Sequence, residues 1–342
     1  MDPLDPVAFA RELIDIDSTT GREREAGDWL AARLQREGFE VEEQPVGDSV
    51  PSAKSVARRN LYAHLGAPPA VVLSTHYDCV PPFIPSRVGD GRLYGRGSCD
   101  AKGILAAQVA AALRLRAQGE RRVGLLFVVG EERGSDGAVA ANTTPRGSKY
   151  LINGEPTDSR LATSTRGILR VQLHASGRAA HSAAPQHGDS AIDKLVDALV
   201  RLRAVPLPVD SEFGQTFYTV GLIEGGVAPN VVPARASAEV LFRTVGPADD
   251  VLRALSPLDP LVRVEEVLRA PHVRLHTVPG VETAAFPFTT DVPLLDRWGT
   301  PLLFGPGSFL VAHTDHEHVE LAELHAAVDT YEQIVRALMA TR

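Results

Sequence analysis

Hydrophobic and polar residues along the first 160 positions follow two alternating patterns. Apolar residues spaced three and four apart predict helices over 7–16, 23–39 and 102–119, the first of them opened by Asp5 as N-cap and Pro6 in the first turn. The segments between predict strands, mostly as short apolar runs, over 40–46, 60–65, 70–75, 123–130 and 150–153. Helices alternating with buried-type strands indicate an α/β sheet covered on both faces.

The pattern changes after about residue 163. Strands with alternating polarity are predicted over 167–177, 216–226, 234–245 and 262–271, and helices over 190–205 and 247–257. A buried-type run then resumes at 301–308, and a strong helix is predicted over 318–340. We therefore expect a discontinuous α/β domain with a mostly parallel sheet, formed by 1–163 and 273–342, and a smaller α+β domain inserted at 164–272. A loop is predicted over 46–59.

Length and composition describe an ordinary globular protein. The chain has 342 residues, of which 44% are hydrophobic and 23% charged, enough for roughly two domains. Its net charge of -8 and scattered basic residues argue against a nucleic-acid surface. The acidic start and the lack of an apolar run of ~20 residues argue against a signal peptide or membrane span, so a cytoplasmic location is expected.

Imidazole and carboxylate side chains collect just beyond the ends of the predicted strands. In an open α/β sheet this edge is where ligands bind, because the loops there surround a crevice. The residues concerned are His76, Asp78, Asp100, Glu131, Glu132, Glu155 and His313. Positions 76 and 78 share one side of a strand, so Asp78 is placed to orient the His76 ring.

Carboxylates brought together in this way repel one another unless a cation compensates them. Two histidines with three carboxylates suit zinc, with manganese or cobalt as alternatives. If Asp100 bridges two ions, each ion receives the bridge, one histidine and one further carboxylate, which leaves room for a shared water. Glu131 would then be free to move a proton, whereas a solvated Glu131–Glu132 charge pair is the other interpretation.

Seven segments, in order between about residues 70 and 320, resemble the M20 metallopeptidase family. They read STHYDCVPP, DGRLYGRGSCDAKG, GEERGSDG, GEPTDS, GRAAHSAAP, GGVAPNVVP and GPGSFLVAHTDHEHV. The resemblance implies His76 and Glu155 on one metal, Glu132 and His313 on a second, and Asp100 between them. It also implies Glu131 as general acid/base, Asp78 as the support of His76, and an inserted domain that serves as lid and dimerisation domain.

The same resemblance implies residues outside the metal site. His181 matches a histidine that a family dimer lends to its partner's active site to stabilise the oxyanion, although a surface-loop histidine is the alternative. Asn230 and Arg243 match groups that meet the substrate near its carboxylate, and Arg243 could instead form a structural ion pair. Gly305 and Gly307 would let backbone N–H groups approach the substrate.

Two pairs of residues are left outside the site. Cys79 and Cys99 flank predicted ligands, but neither position supplies a ligand in the family, and we expect both to be buried thiols. His316 and His318 follow His313 closely and are expected to be loop residues or supporting groups.

The function predicted from the sequence is a di-zinc hydrolase that cleaves the amide bond of an N-acyl amino acid, similar to acetylornithine deacetylase. Its substrate would be a small N-acyl amino acid or short peptide, and the chain would form a homodimer. Alternatives within the family are an N-succinyl-amino-acid desuccinylase, a small carboxypeptidase or a dipeptidase. A binding module without catalysis is disfavoured because Glu131 accompanies a complete ligand set.

Overall fold

The computed structural model describes residues 4–47 and 58–340, which fall into two compact units. Unit 1 comprises Met1–Thr163, Leu275–Ala284 and Thr290–Arg342, and unit 2 comprises Ser164–Arg274 and Ala285–Thr289. Most of the loop predicted over 46–59 lies outside the described residues; at its ends, Val46, Arg58 and Arg59 belong to strands instead.

The helices are α1 Pro6–Ile14, α2 Arg24–Arg36, α3 Lys102–Ala117, α4 Asp136–Ala141, α5 Ala191–Leu202, α6 Ala248–Ala254 and α7 Leu321–Ala340. The strands of the first half are β1 Glu40–Val46, β2 Arg58–His64, β3 Val71–His76, β4 Arg87–Gly89, β5 Arg92–Tyr94, β6 Val123–Val128, β7 Tyr150–Asn153, β8 Leu161–Thr165 and β9 Gly167–Ser176. Those of the second half are β10 Val209–Asp210, β11 Gly214–Gln215, β12 Phe217–Gly225, β13 Arg235–Thr244, β14 Arg263–Ala270, β15 Val273–Arg274, β16 Thr283–Phe286, β17 Thr300–Leu303 and β18 His318–Glu320.

Unit 1 is built on a six-stranded sheet of order β1-β2-β6-β3-β7-β17. Strands β6, β3, β7 and β17 run parallel, whereas β2 is antiparallel to both of its neighbours. Every residue of β3, β6 and β7 is buried, as expected for strands covered on both faces. Helices α1, α3 and α7 pack on one another over a large apolar core. The predicted mostly parallel α/β sheet is confirmed.

Unit 2 is built on a four-stranded antiparallel sheet of order β12-β13-β9-β14. Residues along β9 and β13 alternate between buried and partly exposed positions, because only one face of the sheet is covered by helices α5 and α6. The alternating polarity in the sequence predicted this arrangement.

Several short elements were not predicted. Strands β4, β5 and β18 form a small sheet in unit 1, so residues 318–320 are a strand rather than the start of the predicted closing helix. The one-and-a-half-turn helix α4 follows the glutamate pair. Among the described residues, none of the helices combines the length and apolar character that crossing a bilayer requires.

Candidate metal centre

The first candidate ligand group lies at the carboxyl ends of the parallel strands of unit 1. His76 is the last residue of β3, and Glu155 follows β7 by two positions. Nε2 of His76 lies 3.0 Å from Oδ1 of Asp100 and 4.0 Å from Oε2 of Glu155. All three side chains are buried, and one ligand atom from each lies within 4.8 Å of the others.

A second group shares Asp100. Nε2 of His313 lies 3.2 Å from Oδ2 of Asp100 and 3.0 Å from Oε2 of Glu132. Asp100 therefore turns one carboxylate oxygen toward each histidine, since His76 faces Oδ1. Five predicted ligands are thus brought together in two groups that have one carboxylate in common.

The carboxylates of the two groups raise the pKa values of both candidate histidines. Burial acts to lower the pKa of His76, but hydrogen bonds to Asp100 and Asp78 outweigh it and raise that pKa well above its ordinary value. Hydrogen bonds to Asp100 and Glu132 raise the pKa of His313 to about 10. Without a cation, protons on the imidazoles compensate the carboxylates.

The donor set fits divalent cations. Oε1 of Glu155 is buried without a hydrogen-bond partner among the described residues, which is costly unless a cation or water binds it. Nδ1 of His76 lies 3.0 Å from the carbonyl oxygen of Asp78, a geometry that places the proton on Nδ1 and leaves Nε2 free to ligate. Histidine nitrogen with carboxylate oxygen suits zinc and related first-row metals.

Asp78 ties the end of β3 to the turn that carries both glutamates. Its carboxylate lies 3.5 Å from Nδ1 of His76 and accepts the backbone N–H groups of Glu131 at 3.1 Å and Glu132 at 3.3 Å. Thr20 donates its hydroxyl to the same carboxylate at 2.8 Å. Asp78 therefore positions one candidate ligand and the proposed proton carrier together.

The glutamate pair lies on a single 3-10 turn between two left-handed glycines, Gly130 at φ +76° and Gly134 at φ +104°. A side chain at Gly130 would collide with Asp136 and Arg58, so this position requires glycine. Burial and the neighbouring charge of Glu155 raise the pKa of Glu131 well above its ordinary value. Such a shift favours a proton carrier near neutral pH.

Sequence reasoning missed two buried acids near the ligands. Glu317 is 2% exposed and accepts backbone N–H groups from the loop that carries Asp100. Asp291 is 1% exposed; burial raises its pKa to about 6, although the Ser135 side chain acts in the opposite direction. Asp291 is a single acid in an irregular segment and gave no local signal, whereas Glu317 lies within the quoted segment GPGSFLVAHTDHEHV, between His316 and His318.

The roles predicted for Gly305 and Gly307 need correction. The N–H of Gly305 donates to Oγ1 of Thr157 at 2.9 Å, and that of Gly307 donates to Oε1 of Glu323 at 2.9 Å. These N–H groups are therefore engaged within unit 1 rather than open to a substrate. The glycines are required for packing instead, since a side chain at Gly305 would strike the carbonyl of Glu155.

The remaining predicted residues lie in unit 2. His181 is exposed, and its Nδ1 accepts the N–H of Ala183 at 3.1 Å, which leaves Nε2 to act as a donor. Asn230 lies beside it, because its carbonyl accepts the N–H of Ser182 at 3.0 Å. Arg243 is half-buried, and no carboxylate among the described residues pairs with it; its Nη1 reaches Oγ1 of Thr289 at 3.4 Å. The alternative of a structural ion pair at Arg243 is thus excluded among those residues.

The cysteines and the later histidines lie outside both ligand groups. Cys79 and Cys99 are buried thiols, and burial raises the pKa of Cys79 to about 12. His316 is exposed, and His318 packs its ring on Tyr94 with 5.4 Å between the ring centroids.

Residues 72–337 match the family model described as peptidase family M20/M25/M40. The chain belongs to this family. It is 40% identical to a probable carboxypeptidase of Aspergillus terreus, over 97% of this chain and 86% of the relative. It is 36% identical to an M20 peptidase domain-containing protein of Schizosaccharomyces pombe, over 96% of this chain and 84% of the relative.

The solved structures agree at the level of the fold. The aminopeptidase PepT of Bacillus cereus superposes with a TM-score of 0.79, with 21% identity and 98% of each chain covered. The M20 resemblance seen in the sequence and the predicted metal-dependent hydrolase are confirmed.

Proposed function

We propose that this M20 hydrolase cleaves the amide bond of an N-acyl amino acid or short peptide and releases an amino acid that keeps a free carboxylate. The observation that carries the proposal is the pair of ligand groups sharing Asp100, with the partly buried Glu131 on the adjoining turn. Buried acids and imidazoles in this arrangement suit water activation rather than simple binding.

Two cations would be held by His76, Asp100 and Glu155 on one side and by Asp100, Glu132 and His313 on the other. We propose zinc, with cobalt or manganese as substitutes, because the donors are nitrogen and carboxylate oxygen. When bound, the metals supply positive charge that polarises the carbonyl and acidifies water.

Glu131 moves the proton in the proposed reaction. Its carboxylate accepts a proton from the attacking water and later passes that proton to the departing amine nitrogen. The backbone N–H of Glu131 is held by Asp78, which also lies against His76, so the proton carrier keeps a fixed place relative to the ligands. Burial raises the pKa of Glu131 well above its ordinary value, which makes its carboxylate a better acceptor for the proton of water than an exposed carboxylate.

The substrate class follows from chemistry that the candidate activities share. An acyl-amino-acid deacylase and a carboxypeptidase both break an amide bond whose nitrogen belongs to an amino acid with a free carboxylate. The Aspergillus relatives bear the name probable carboxypeptidase, which favours a C-terminal amino acid as leaving group. Acetylornithine deacetylase-like activity on an acetylated amino acid is the second candidate, supported by the GPGS and AHTDHE segments.

Amine release from a substrate panel tests the proposal. The panel contains N-acetyl and N-succinyl amino acids, dipeptides and N-blocked dipeptides, each paired with its C-terminal amide. Zinc-reconstituted protein should hydrolyse one acyl class, lose activity with chelator, and discriminate against the amides. Equal turnover of acids and amides would contradict the free-carboxylate requirement, and turnover that survives chelation would contradict metal dependence.

We also propose a homodimer formed through unit 2. Helix α5 carries an exposed apolar stripe of Ile192, Val196 and Val200, exposed by 37%, 52% and 59%. Strand β12 forms an edge of the sheet, and its Leu222 and Ile223 are about as exposed. An apolar stripe beside a strand that lies at the edge of the described sheet favours association with a second copy.

The stripe and the strand edge are adjacent. A side chain added at Gly225 of β12 would lie 3.0 Å from Cγ1 of Ile192, so the two apolar patches meet.

Three further roles of the inserted domain stay predictions. They are its function as a lid, the lending of His181 to a partner, and the substrate contacts of Asn230 and Arg243.

A further inference from the structure

The side chain of Glu317 accepts four hydrogen bonds from one short segment of unit 1. Its Oε1 accepts the backbone N–H groups of Gly97 at 2.8 Å, Cys99 at 3.2 Å and Asp100 at 3.1 Å. Its Oε2 accepts Nη1 of Arg96 at 2.6 Å. A carboxylate that is 2% exposed is costly to bury, and these donors compensate it.

The two segments joined in this way both carry candidate ligands. Residues 95–101 lead from β5 to α3 and include Asp100, whereas Glu317 lies four residues after His313. Arg96 adds a second tie, because its Nη1 also reaches the carbonyl of Thr314 at 3.1 Å. Glu317 and Arg96 thus hold the segment that carries Asp100 against the segment that carries His313.

This connection matters for Asp100 because that side chain serves two groups. Oδ1 faces His76 at 3.0 Å and Oδ2 faces His313 at 3.2 Å, so a small rotation of the backbone would bring one oxygen out of reach. The side chain of Asp100 has only two torsions, so the positions of its oxygens depend on the orientation of its backbone. Glu317 fixes that orientation because it accepts the Asp100 N–H. Gly97 at φ +90° has no room for a side chain, since an added Cβ would lie 2.8 Å from Sγ of Cys79.

A simple ion pair between Glu317 and Arg96 is the competing interpretation. An ion pair alone accounts for one oxygen of Glu317, yet the other oxygen accepts three N–H groups of the same loop. Backbone donors in a buried loop must find acceptors, and here a single side chain provides the acceptor for all three. The arrangement therefore orients a loop rather than merely pairing two charges.

We infer that Glu317 is a positioning residue, which fixes the Asp100 loop against the His313 segment so that Asp100 can serve both ligand groups at once. The inference rests on the proposed di-metal function. It assigns no metal contact to Glu317, which acts mainly through the backbone N–H groups of Gly97, Cys99 and Asp100, with Arg96 as its ion-pair partner.

The test compares Glu317→Gln, which keeps an acceptor oxygen but removes the charge, with the wild-type chain. In metal-free protein, hydrogen exchange at the amides of Gly97, Cys99 and Asp100 should accelerate at least tenfold. In calorimetric titration with zinc, the first equivalent should bind nearly as in wild type, and the second at least tenfold more weakly. In zinc-loaded enzyme, kcat should fall while KM changes less than twofold.

Two further variants separate positioning from general stability. Glu332→Gln removes a mostly buried carboxylate of α7 that pairs with Arg114 and Arg336, and it should change neither the exchange of the loop amides nor the zinc titration. Arg96→Gln removes the ion pair but leaves the three N–H bonds of Glu317. The second zinc ion should therefore bind more tightly to Arg96→Gln than to Glu317→Gln.

The outcomes are distinct. Wild-type exchange and two wild-type zinc affinities in Glu317→Gln would overturn the inference while leaving the di-metal function standing. If Arg96→Gln and Glu317→Gln weaken binding of the second zinc ion equally, the inference is also overturned, because the ion pair alone then explains the effect. If the wild-type chain binds fewer than two zinc ions, the proposed function fails and the inference with it. If Glu317→Gln does not fold, Glu317→Asp takes its place and should show faster exchange at the same amides.

Discussion

The central sheets of the two units place charged groups in opposite ways. In unit 1, β3 is buried along its whole length and ends in His76, which lies among buried carboxylates. In unit 2, charged groups such as Arg170 and Glu239 stand on the open face of the sheet and pair at its surface, 3.6 Å apart. The sheet of unit 1 thus ends in a buried cluster of charged groups, whereas the sheet of unit 2 carries charged groups on its open face and lies beside the exposed apolar side chains of α5.

The difference follows from how each sheet is covered. A parallel sheet with both faces buried exposes only its strand ends, so polar groups needed for chemistry collect there. An antiparallel sheet with one open face can place charges anywhere along alternate positions. Charge substitutions should therefore be costly in unit 1 and tolerated in unit 2, whereas apolar surface positions should matter more in unit 2.

The largest effect is expected at the proton carrier of unit 1. Glu131→Gln should lower kcat by ~10²–10⁴-fold, because the amide cannot accept a proton from water. Zinc content should stay at the wild-type level, since Glu131 belongs to neither ligand group. Steady-state kinetics and metal analysis measure both. The exposed Glu282→Gln is the control, and wild-type turnover in Glu131→Gln would contradict the mechanism.

Buried and exposed arginines give the next contrast. Arg58 of unit 1 is 6% exposed and pairs with Glu23 and Asp136, so Arg58→Met should destabilise the fold by about 3–5 kcal/mol because it removes the guanidinium that compensates the buried Glu23 and the partly buried Asp136. Arg269→Met in unit 2, whose partners Glu266 and Asp249 are at the surface, should leave the denaturation midpoint unchanged. Equal destabilisation by both changes would break the comparison between the units.

His181 is the residue of unit 2 that is predicted to stabilise the oxyanion. Loss of an oxyanion donor predicts a fall in kcat of ~10²–10³-fold for His181→Ala, with the exposed His187→Ala as control. If the residue is lent between copies, mixing His181→Ala with Glu131→Gln should restore activity in mixed dimers. Two inactive variants that stay inactive after verified subunit exchange would disprove the sharing.

Metal binding should stabilise unit 1 through the ligand groups that share Asp100. At a free zinc concentration ~100 times the dissociation constant, the gain is about 2.7 kcal/mol, which should raise the melting temperature by about 5 °C. Calorimetric scans with and without chelator measure it. Asp100→Ala, which removes a ligand from both groups, should abolish the shift, and a full shift in that variant would exclude Asp100 as the bridge.

The smallest expected effect concerns the apolar stripe of unit 2. Val196→Lys should weaken the homodimer roughly tenfold, because it removes about 1.5 kcal/mol of apolar burial. Sedimentation velocity over a concentration series measures the change. Val139→Lys on α4 is a closely matched control, since Val139 is 51% exposed and Val196 52%. A wild-type dimer in Val196→Lys would place the interface elsewhere.

Much of the fold was predictable because local pattern and global burial agree. Continuous apolar runs predicted β3 and β6, and alternating polarity predicted β9 and β13. The N-cap at Asp5 is likewise confirmed, as its side chain accepts the N–H of Val7 at 3.0 Å. The strand before Leu321 was missed because β18 has three residues, and its pairing with β5 depends on a segment more than 200 positions away.

By itself, the sequence determined the strand ends at which His76, Glu132 and Glu155 appear, because a polar residue directly after a buried run marks the point where the chain leaves the core. Only the tertiary structure decided that Asp100 faces both histidines and that Glu317 holds the Asp100 loop. It also decided that the N–H groups of Gly305 and Gly307 donate to side chains of unit 1. The physical reason is separation along the chain. The bond from Asp100 to Glu317 spans 217 residues, and the burial that gives such a hydrogen bond its importance exists only after folding.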